Sequence, residues 1–356
     1  MINSNPETVS TDYDTADKLY FEPLNWQEVE AVLLREKPKS VIIQLGGQTP
    51  LKLAEKIVEK GYTIAGSSIE VIDSTEDREL FQKLCTKENI KQPISNIAAN
   101  VKELSDSVTQ IGYPVLLRPS YVLGGRAMRV VNNETELSNY LDVLSKSDED
   151  GNPFNSGPLL VDEYLTNAIE IDVDLISDGT DVVIAGILEH LEPAGVHSGD
   201  STAVLPPYSI EENMLAEIRD KSIKLALSLN VRGLLNIQFA IKENELYILE
   251  ANPRASRTMP FVAKVTKNQI IKAGTLIMLG HKIKDILKDT DYLSSKTNKI
   301  AVKKAIFPWS RFPAEDTMLG PEMKATGEVL GIGSKLGIAL NKAYAAAGVE
   351  IGVKQQ

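Results

Sequence analysis

The stretch from Asn236 to Asn252 constrains this chain's fold more than any other. Asn236-Ile237-Gln238-Phe239-Ala240-Ile241 and Leu246-Tyr247-Ile248-Leu249-Glu250-Ala251-Asn252 each alternate polar and apolar residues in places. A polar turn near Asn244 separates them, which is the pattern of an antiparallel hairpin. Residues directly opposite each other in such a ladder share a face, so the parity of the turn decides which side chains meet. An even turn sets Glu250 against Ile237 and opposes polar to apolar throughout. A three-residue turn, Glu243 to Glu245, instead sets Gln238 against Glu250 and Asn236 against Asn252. It also pairs Ile237, Phe239 and Ile241 with Ala251, Leu249 and Tyr247 on the other face. Burial favours the odd turn, and that register is the expectation.

The resulting polar face carries one carboxylate and several amides. Such an all-oxygen donor set suits Mg2+ or Mn2+, which take one or two carboxylates together with substrate phosphates and water. By pattern alone, a solvated hairpin presents the same face. The next residues, Pro253-Arg254-Ala255-Ser256-Arg257, tilt the reading. They put two guanidinium groups, which match phosphate or carboxylate through paired donors, immediately after the candidate metal ligands. A metal and two arginines at one strand end are what phosphoryl transfer needs, since that chemistry is positioning and charge neutralisation without a covalent nucleophile.

Upstream, Trp26 to Lys37 reads as an amphipathic helix ended by Pro38, Ser40 to Leu45 as a strand running into Gly46-Gly47, and Pro50 to Lys60 as a helix. A second short strand, Tyr62 to Ala65, completes a βαβ unit. It reads either as a small three-layer module or as part of a larger one. From Thr75-Glu76-Asp77-Arg78 a helix is predicted through about Thr86, containing Cys85 as a packing residue, and another over Lys102 to Ile111. Tyr113 to Arg118 and Arg126 to Val131 read as strands around Pro119-Ser120-Tyr121-Val122-Leu123-Gly124-Gly125. A strand, glycine loop and strand form a hairpin, whose backbone donors can approach phosphates closely. The chain has no GxxxxGK[ST] or GxGxxG motif, which disfavours P-loop and Rossmann nucleotide sites. Further on, Glu134 to Lys146 is predicted helical, Ser147 to Gly157 an acidic loop, and Leu159 to Tyr164, Ile169 to Ser177 and Val182 to Leu191 strands. Asn213 to Ser228 and Pro260 to about Leu279 read as helices, and the tail as mixed strands and loops. Gly195-Val196-His197-Ser198-Gly199 is a small-residue loop whose histidine either holds an anion or has no role. Glu170 lies in the alternation Ile169-Glu170-Ile171-Asp172-Val173-Asp174, the usual wet face of a strand.

Composition removes competing classes. The chain has 356 residues, 43% hydrophobic and 24% charged, with a single cysteine and three histidines. An intramolecular disulfide, a CxxC metal site and a zinc triad are therefore disfavoured. The formal net charge of −11 argues against a general nucleic-acid binder. No run approaches the ~18 apolar residues of a membrane span, and no basic-then-apolar leader opens the chain, so a cytoplasmic α/β protein is expected.

Taken in order, the strings NPETVSTDYDTADKLYFEP, GGQTPLKLA, EDRELFQ, RPSYVLGGRAM, EHLEPAGVHSGDS, RGLLNIQFA, EANPRASRTMPFVAK and LGPEMKATGEVLG span nearly the whole chain. Together they resemble the carbamoyl-phosphate synthase large subunit. RPSYVLGGRAM and the Thr258-Met259-Pro260-Phe261 that follows the arginines resemble its C-terminal synthetase unit. That resemblance implies an α/β ATP-grasp fold preceded by a partial Rossmann-like, pre-ATP-grasp parallel-sheet domain. The implied boundaries are 1–73 for the partial domain, 74–280 for the ATP-grasp domain with a glycine-hairpin lid at about 113–131, and 281–356 for an extension completing the unit. The implied activity is a ligase step, phosphorylation of carbamate by ATP to carbamoyl phosphate, which feeds pyrimidine and arginine biosynthesis. ATP contacts are implied at Arg78, Arg118, Gly124, Gly125, Glu163, Leu165, Glu170, Gly195, Val196, His197, Ser198, Gln238 and Glu250. The implied magnesium (or manganese) ligands are Gln238, Glu250 and Asn252, with a potassium ion near Glu170. Arg254, Arg257 and His197 are the implied catalytic groups. The implied partners are the rest of the large subunit and a glutamine-hydrolysing small subunit.

The departures concern extent. The family's large subunit is several times longer, and its unit begins with further strands before NPETVSTD. The expectation is thus a chain that starts within its first domain and lacks the N-terminal synthetase unit and the C-terminal regulatory domain. Two other readings stay open at this point: a different ATP-grasp carboxylate ligase, and a nucleotide-binding fragment without turnover.

Overall fold

A computed structural model describes residues 1–119, 128–146, 154, 157–286, 299–309, 311 and 317–349. The glycine loop, including Gly124 and Gly125, and most of the acidic loop lie outside the described residues. Three sheets organise the rest. β1 (Val41–Ile42) and β2 (Ile64–Ala65) form a short parallel pair. β3 (Ser95–Ala98), β4 (Val115–Pro119), β5 (Arg129–Val131) and β6 (Leu159–Glu163) form an antiparallel sheet in the order β3-β6-β4-β5. The main sheet contains β7 (Ile169–Asp178), β8 (Val182–Pro193), β9 (Ala203–Leu205), β10 (Arg232–Lys242), β11 (Glu245–Asn252), β12 (Ile300–Ile306) and β13 (Gly327–Gly333), ordered β11-β10-β7-β8-β9-β12-β13.

The two faces of the main sheet follow from the strand period of two. Ile171, Val173, Leu175, Leu235, Ile237 and Phe239 point to one side and pack against the helices Arg78–Lys87 and Glu212–Ser228. On the opposite side Ile176, Leu188 and Leu234 lie under the helices Thr258–Thr266 and Ile270–Met278. Toward the other end of that second face the apolar residues give way to Glu170, Asp172, Asp174, Asn236, Gln238 and Glu250. Cys85 is buried in the first core, and burial pushes its thiol up to about 12, as expected for a packing residue.

Several elements differ from the sequence expectation. The helix predicted from Thr75 is two helices, Ile69–Glu76 and Arg78–Lys87, because the Asp77 carboxylate accepts from the Leu80 N–H at 2.9 Å and starts a new helix there. Pro50–Lys60 divides into Gln48–Leu51 and Ala54–Glu59, and Pro260–Leu279 divides at Lys267, whose φ is 59°. The first strand is only Val41–Ile42, and the tail contains the unanticipated helix Leu336–Ala346.

The hairpin keeps the expected facing of its polar residues but reaches it by another turn. Gln238 does face Glu250, Asn236 faces Asn252 and Ile237 faces Ala251. The turn, however, holds only Glu243 and Asn244, with φ of 51° and 62°, since Lys242 already pairs with Glu245. Two positive-φ residues suit the strand twist that a tight hairpin needs. Phe239 therefore faces Ile248, not Leu249, and Ile241 faces Leu246, not Tyr247. A bulge at Leu249 adds the missing residue and brings Glu250 back into line with Gln238.

Candidate active site

The polar half of the main sheet is built from alternate residues of β7, β10 and β11. Gln238 lies between Glu250 on one side and Asp172 on the other, and Asn236 between Asn252 and Asp174. Glu250 keeps surface open to the cleft, yet protein crowds it on most sides. That desolvation raises its pKa, against the opposing pull of Asn252, Arg254 and Arg118. Its only described hydrogen bond is from Asn252 Nδ2 at 2.7 Å. The Asn252 Oδ1 accepts instead from Arg254 Nη2 at 3.2 Å. Among the described residues no group of three or more His, Cys, Asp or Glu gathers in a metal-holding cluster. A cation here would thus depend on Glu250, amide oxygens and oxygens brought by a ligand, the usual division for magnesium. A carboxylate crowded into a cleft, with a single described amide donor, fits that role.

The arginines approach from two directions. Arg254 follows β11 directly, and Arg257 caps the start of the helix Thr258–Thr266. Arg118 on β4 donates through Nε to Asp162 Oδ2 at 2.8 Å, while Arg78 Nη2 and Ser95 Oγ both donate to Asp162 Oδ1. Asp162 therefore sets both upstream arginines, a role that no local sequence signal marked. Arg118 reaches far enough to act on Glu250, and Arg257 acts on both Arg254 and His197. The structure thus brings Arg78, Arg118, Gln238, Glu250, Asn252, Arg254, Arg257 and His197 around one cleft. Gly124 and Gly125 fall outside the described residues.

The 195–201 loop closes the other wall. His197 Nδ1 accepts from the Gly199 N–H at 3.0 Å, so the ring proton sits on Nε2. Burial depresses its pKa, with Arg257 and Lys303 acting in the same direction, and the ring is a neutral donor near pH 7. Asp200 anchors the loop by accepting from the backbone N–H groups of Lys324 and Ala325, each at 2.8 Å. Gly195 N–H donates to Glu170 Oε1 at 3.2 Å, and the Ser198 carbonyl accepts from Lys303 Nζ at 2.9 Å. Lys303 is fully buried, and burial lowers its pKa. Sequence reasoning passed over it, although two adjacent lysines inside the apolar strand Ile300–Ile306 were a visible signal. Val196 lies beside His197, partly buried.

Leu165 joins Ala168, Ala194 and Ala240 in a small apolar cluster, against which Leu249 and Tyr247 pack. The two-residue turn is what puts Tyr247 and Leu249 on this side. Glu163 points elsewhere: it accepts from the Ile94 N–H at 3.2 Å and lies 3.7 Å from Lys242 Nζ. Below the cleft, His190 Nε2 and Nδ1 meet Asp172 at 2.8 Å and Glu170 at 3.2 Å. Burial would lower the histidine pKa, but these two carboxylates outweigh it and hold the ring protonated.

The solved structures most informative about this architecture share its fold at low identity. N5-carboxyaminoimidazole ribonucleotide synthetase from Thermotoga maritima superimposes with a TM-score of 0.69 at 15% identity, over 97% of this chain and 90% of that one. The biotin carboxylase domain of a thermophilic 2-oxoglutarate carboxylase, bound to bicarbonate, gives 0.68 at 17%, over 97% and 83%. The fold is that of an ATP-grasp unit with a pre-ATP-grasp domain in front of it.

Family comparison narrows the class. Residues 77–286 match the model of the carbamoyl-phosphate synthase L chain ATP-binding domain, and residues 1–74 that of the carbamoyl phosphate synthase preATP-grasp domain. The C-terminal section of the carbamoyl phosphate synthase large chain from Aquifex aeolicus is 48% identical over 99% of this chain and 67% of that protein. The large chain of Archaeoglobus fulgidus is 49% identical over 99% of this chain and 32% of that protein. The chain belongs to the carbamoyl-phosphate synthase large-chain family, and spans about a third of the full-length large chains it matches. No described helix is long and apolar enough to cross a membrane.

Proposed function

We propose that this chain phosphorylates carbamate with ATP, yielding carbamoyl phosphate and ADP, as the C-terminal synthetase part of a cytoplasmic carbamoyl-phosphate synthase. The observation that supports this most is the pairing of Gln238 with Glu250 on the cleft face, with Arg118, Arg254 and Arg257 acting on the same space. Residues 1–73, 74–280 and 281–356 serve as the pre-ATP-grasp segment, the ATP-grasp domain and its completing extension. The partners in the full reaction are the remainder of the large subunit and a glutamine-hydrolysing small subunit.

In this reading, Leu165, Ala168, Ala194 and Leu249 receive the base, and Glu170 faces the ribose. Arg78, Arg118 and the glycines Gly124 and Gly125 hold the phosphates. Gln238, Glu250 and Asn252 hold Mg2+ or Mn2+, which when bound neutralises phosphate charge; Asn252 contributes once its Oδ1 turns from Arg254. A potassium ion near Glu170 fits the Ser201 hydroxyl of the adjoining loop, which is buried and without a hydrogen-bond partner among the described residues. Arg254 and Arg257 orient carbamate and the γ-phosphate, and one carbamate oxygen attacks the γ-phosphorus in line as ADP departs. Neutral His197 donates its Nε2 proton as a hydrogen bond to a phosphoryl oxygen without giving it up. Excluding water matters, because carbamate decomposes readily in it.

The test is ATP synthesis from ADP and carbamoyl phosphate, with and without Mg2+. Glu250→Gln is expected to lower the magnesium-dependent rate by at least ~100-fold. Turnover with a different acylphosphate alone would point to another ATP-grasp ligase, and nucleotide binding without turnover to a part inactive by itself.

A further inference from the structure

Arg254 is held in an unusual way for a cleft arginine. Its Nε donates to Gln48 Oε1 at 3.0 Å, Nη1 to the Ala255 carbonyl at 3.1 Å and Nη2 to Asn252 Oδ1 at 3.2 Å. Every acceptor is neutral. Among the described residues no carboxylate lies within 4.0 Å of it, although Glu250 and Glu76 act on it from farther away. Glu76 is linked to the guanidinium only through Gln48, whose Nε2 donates to Glu76 Oε1. The amide orientation is forced, since only its oxygen can accept from an arginine and only its nitrogen can donate to a carboxylate.

The same domain fixes the backbone on both sides of Arg254. Gln44 Nε2 donates to the Pro253 carbonyl at 2.6 Å, and the Gln44 carbonyl accepts from the Ala255 N–H at 2.8 Å. Gln44 is fully buried, and its own amide is set by the Ser67 N–H, which donates to Oε1 at 3.1 Å. Gly66, at φ +113°, is what leaves room: a Cβ there would sit 2.0 Å from Gln44 Oε1.

We propose that Gln48 is a neutral positioning residue for Arg254, supplied by the first domain, which orients the guanidinium toward a ligand anion without competing for its charge. A carboxylate at position 48 would hold the arginine more tightly by a charge-assisted bond, but would also neutralise it. An apolar isostere would leave the charge and lose the orientation. The two substitutions fail for opposite reasons, which separates positioning from simple support of the fold. This inference rests on the reading of Arg254 as a phosphate-site group.

The experiment titrates inorganic phosphate into the full chain saturated with MgADP, by calorimetry, alongside MgADP affinity and thermal unfolding. Gln48→Met and Gln48→Glu are each expected to weaken phosphate about tenfold or more, with Glu the more harmful, and to leave MgADP affinity within twofold. Combined with Arg254→Ala, neither is expected to cause further loss beyond that of Arg254→Ala alone. If Gln48→Glu binds phosphate as tightly as the wild type, or if either substitution weakens phosphate and MgADP by the same factor, the inference is overturned. An Arg254→Ala variant with unchanged phosphate affinity, or a wild-type chain without any, would overturn the phosphate-site reading itself.

Discussion

Replacing Gly195 by alanine separates the shape of the 195–201 loop from its chemistry. Gly195 has φ +100°, and a Cβ built there would stand 2.5 Å from Tyr164 Oη and 2.7 Å from Tyr164 Cε2. The tyrosine cannot simply retreat, because its hydroxyl donates to the Ala194 carbonyl at 2.7 Å. Alanine at this φ costs roughly 1–2 kcal/mol in backbone strain. Displacing Tyr164 adds about 1 kcal/mol for its hydrogen bond. The Gly195 N–H would also turn from Glu170, so the loop would leave its closed shape instead of carrying the strain. The roughly 2–3 kcal/mol total should then appear as weaker nucleotide binding, about 30- to 150-fold in MgADP affinity. Gly61→Ala is the control: φ is +83°, nothing lies within 4 Å of the added Cβ, and the position is remote from the cleft. It should cost only about 1 kcal/mol of stability and leave nucleotide affinity unchanged. Calorimetric titration with MgADP and urea unfolding of both variants decide the matter. If Gly195→Ala binds MgADP within threefold of the wild type and loses no more stability than Gly61→Ala, the steric reasoning is wrong.

Phe239→Ala, at a fully buried position packed on the first core, should cost ~3–5 kcal/mol in urea unfolding, the range for a buried aromatic. Asp178 accepts from the Thr180 N–H and hydroxyl, the Asp181 N–H and the Ile283 N–H; burial alone would raise its pKa, but these bonds hold it well below the usual carboxylate range. A lowered folded pKa contributes stability present above the unfolded value of ~4 and lost as pH falls through the folded one, so Asp178→Asn should cost ~2 kcal/mol at pH 7 and progressively less below pH ~4.

The facing of Gln238 and Glu250 was legible because a strand has a fixed period, and burying Ile237 leaves their face no choice. The turn was not legible, because parity can be changed at either of two places. A three-residue turn, or a two-residue turn with a bulge at Leu249, places Glu250 identically. Alternation alone cannot tell them apart, and the difference shows between Leu246 and Leu249: Leu246 and Ile248 take the core face, while Tyr247 and Leu249 turn to the cluster around Leu165. Asp162, Gln44 and Gln48 were missed for another reason. Their partners lie far along the chain, as in Arg78 with Asp162 or Gln48 with Arg254, and no local period records such contacts. The arginines after β11 were readable as a pair, but what aims them was not.

A buried polar network explains why these distant residues matter together. The second face of the main sheet changes character within β7, between Asp174 and Ile176. On the apolar side Ile176 and Leu234 lie under helices; on the polar side the groups form a continuous buried series. Glu170 meets His190, His190 meets Asp172, and Asn236 Nδ2 bridges Asp172 at 3.3 Å and Asp174 at 2.9 Å. Asp174 in turn accepts from Ser256 Oγ at 2.7 Å and Thr258 Oγ1 at 2.6 Å. Replacing such a network by apolar residues is often neutral or stabilising, so stability alone does not account for it. Its ends do. One end is the carboxylate that holds the Gly195 N–H of the histidine loop, and the other is the segment that carries Arg254 and Arg257. Burial and the neighbouring Asp172 push Asp174 up to about 6, so this network tolerates little further negative charge, and its hydroxyl donors are needed to hold it. A rigid polar relay across β7 and β10 therefore fixes the separation between the loop that covers the cleft and the arginines that fill it. In the proposed reaction, the two groups that meet one ligand from opposite sides are thus set by the same hydrogen-bonded strand face.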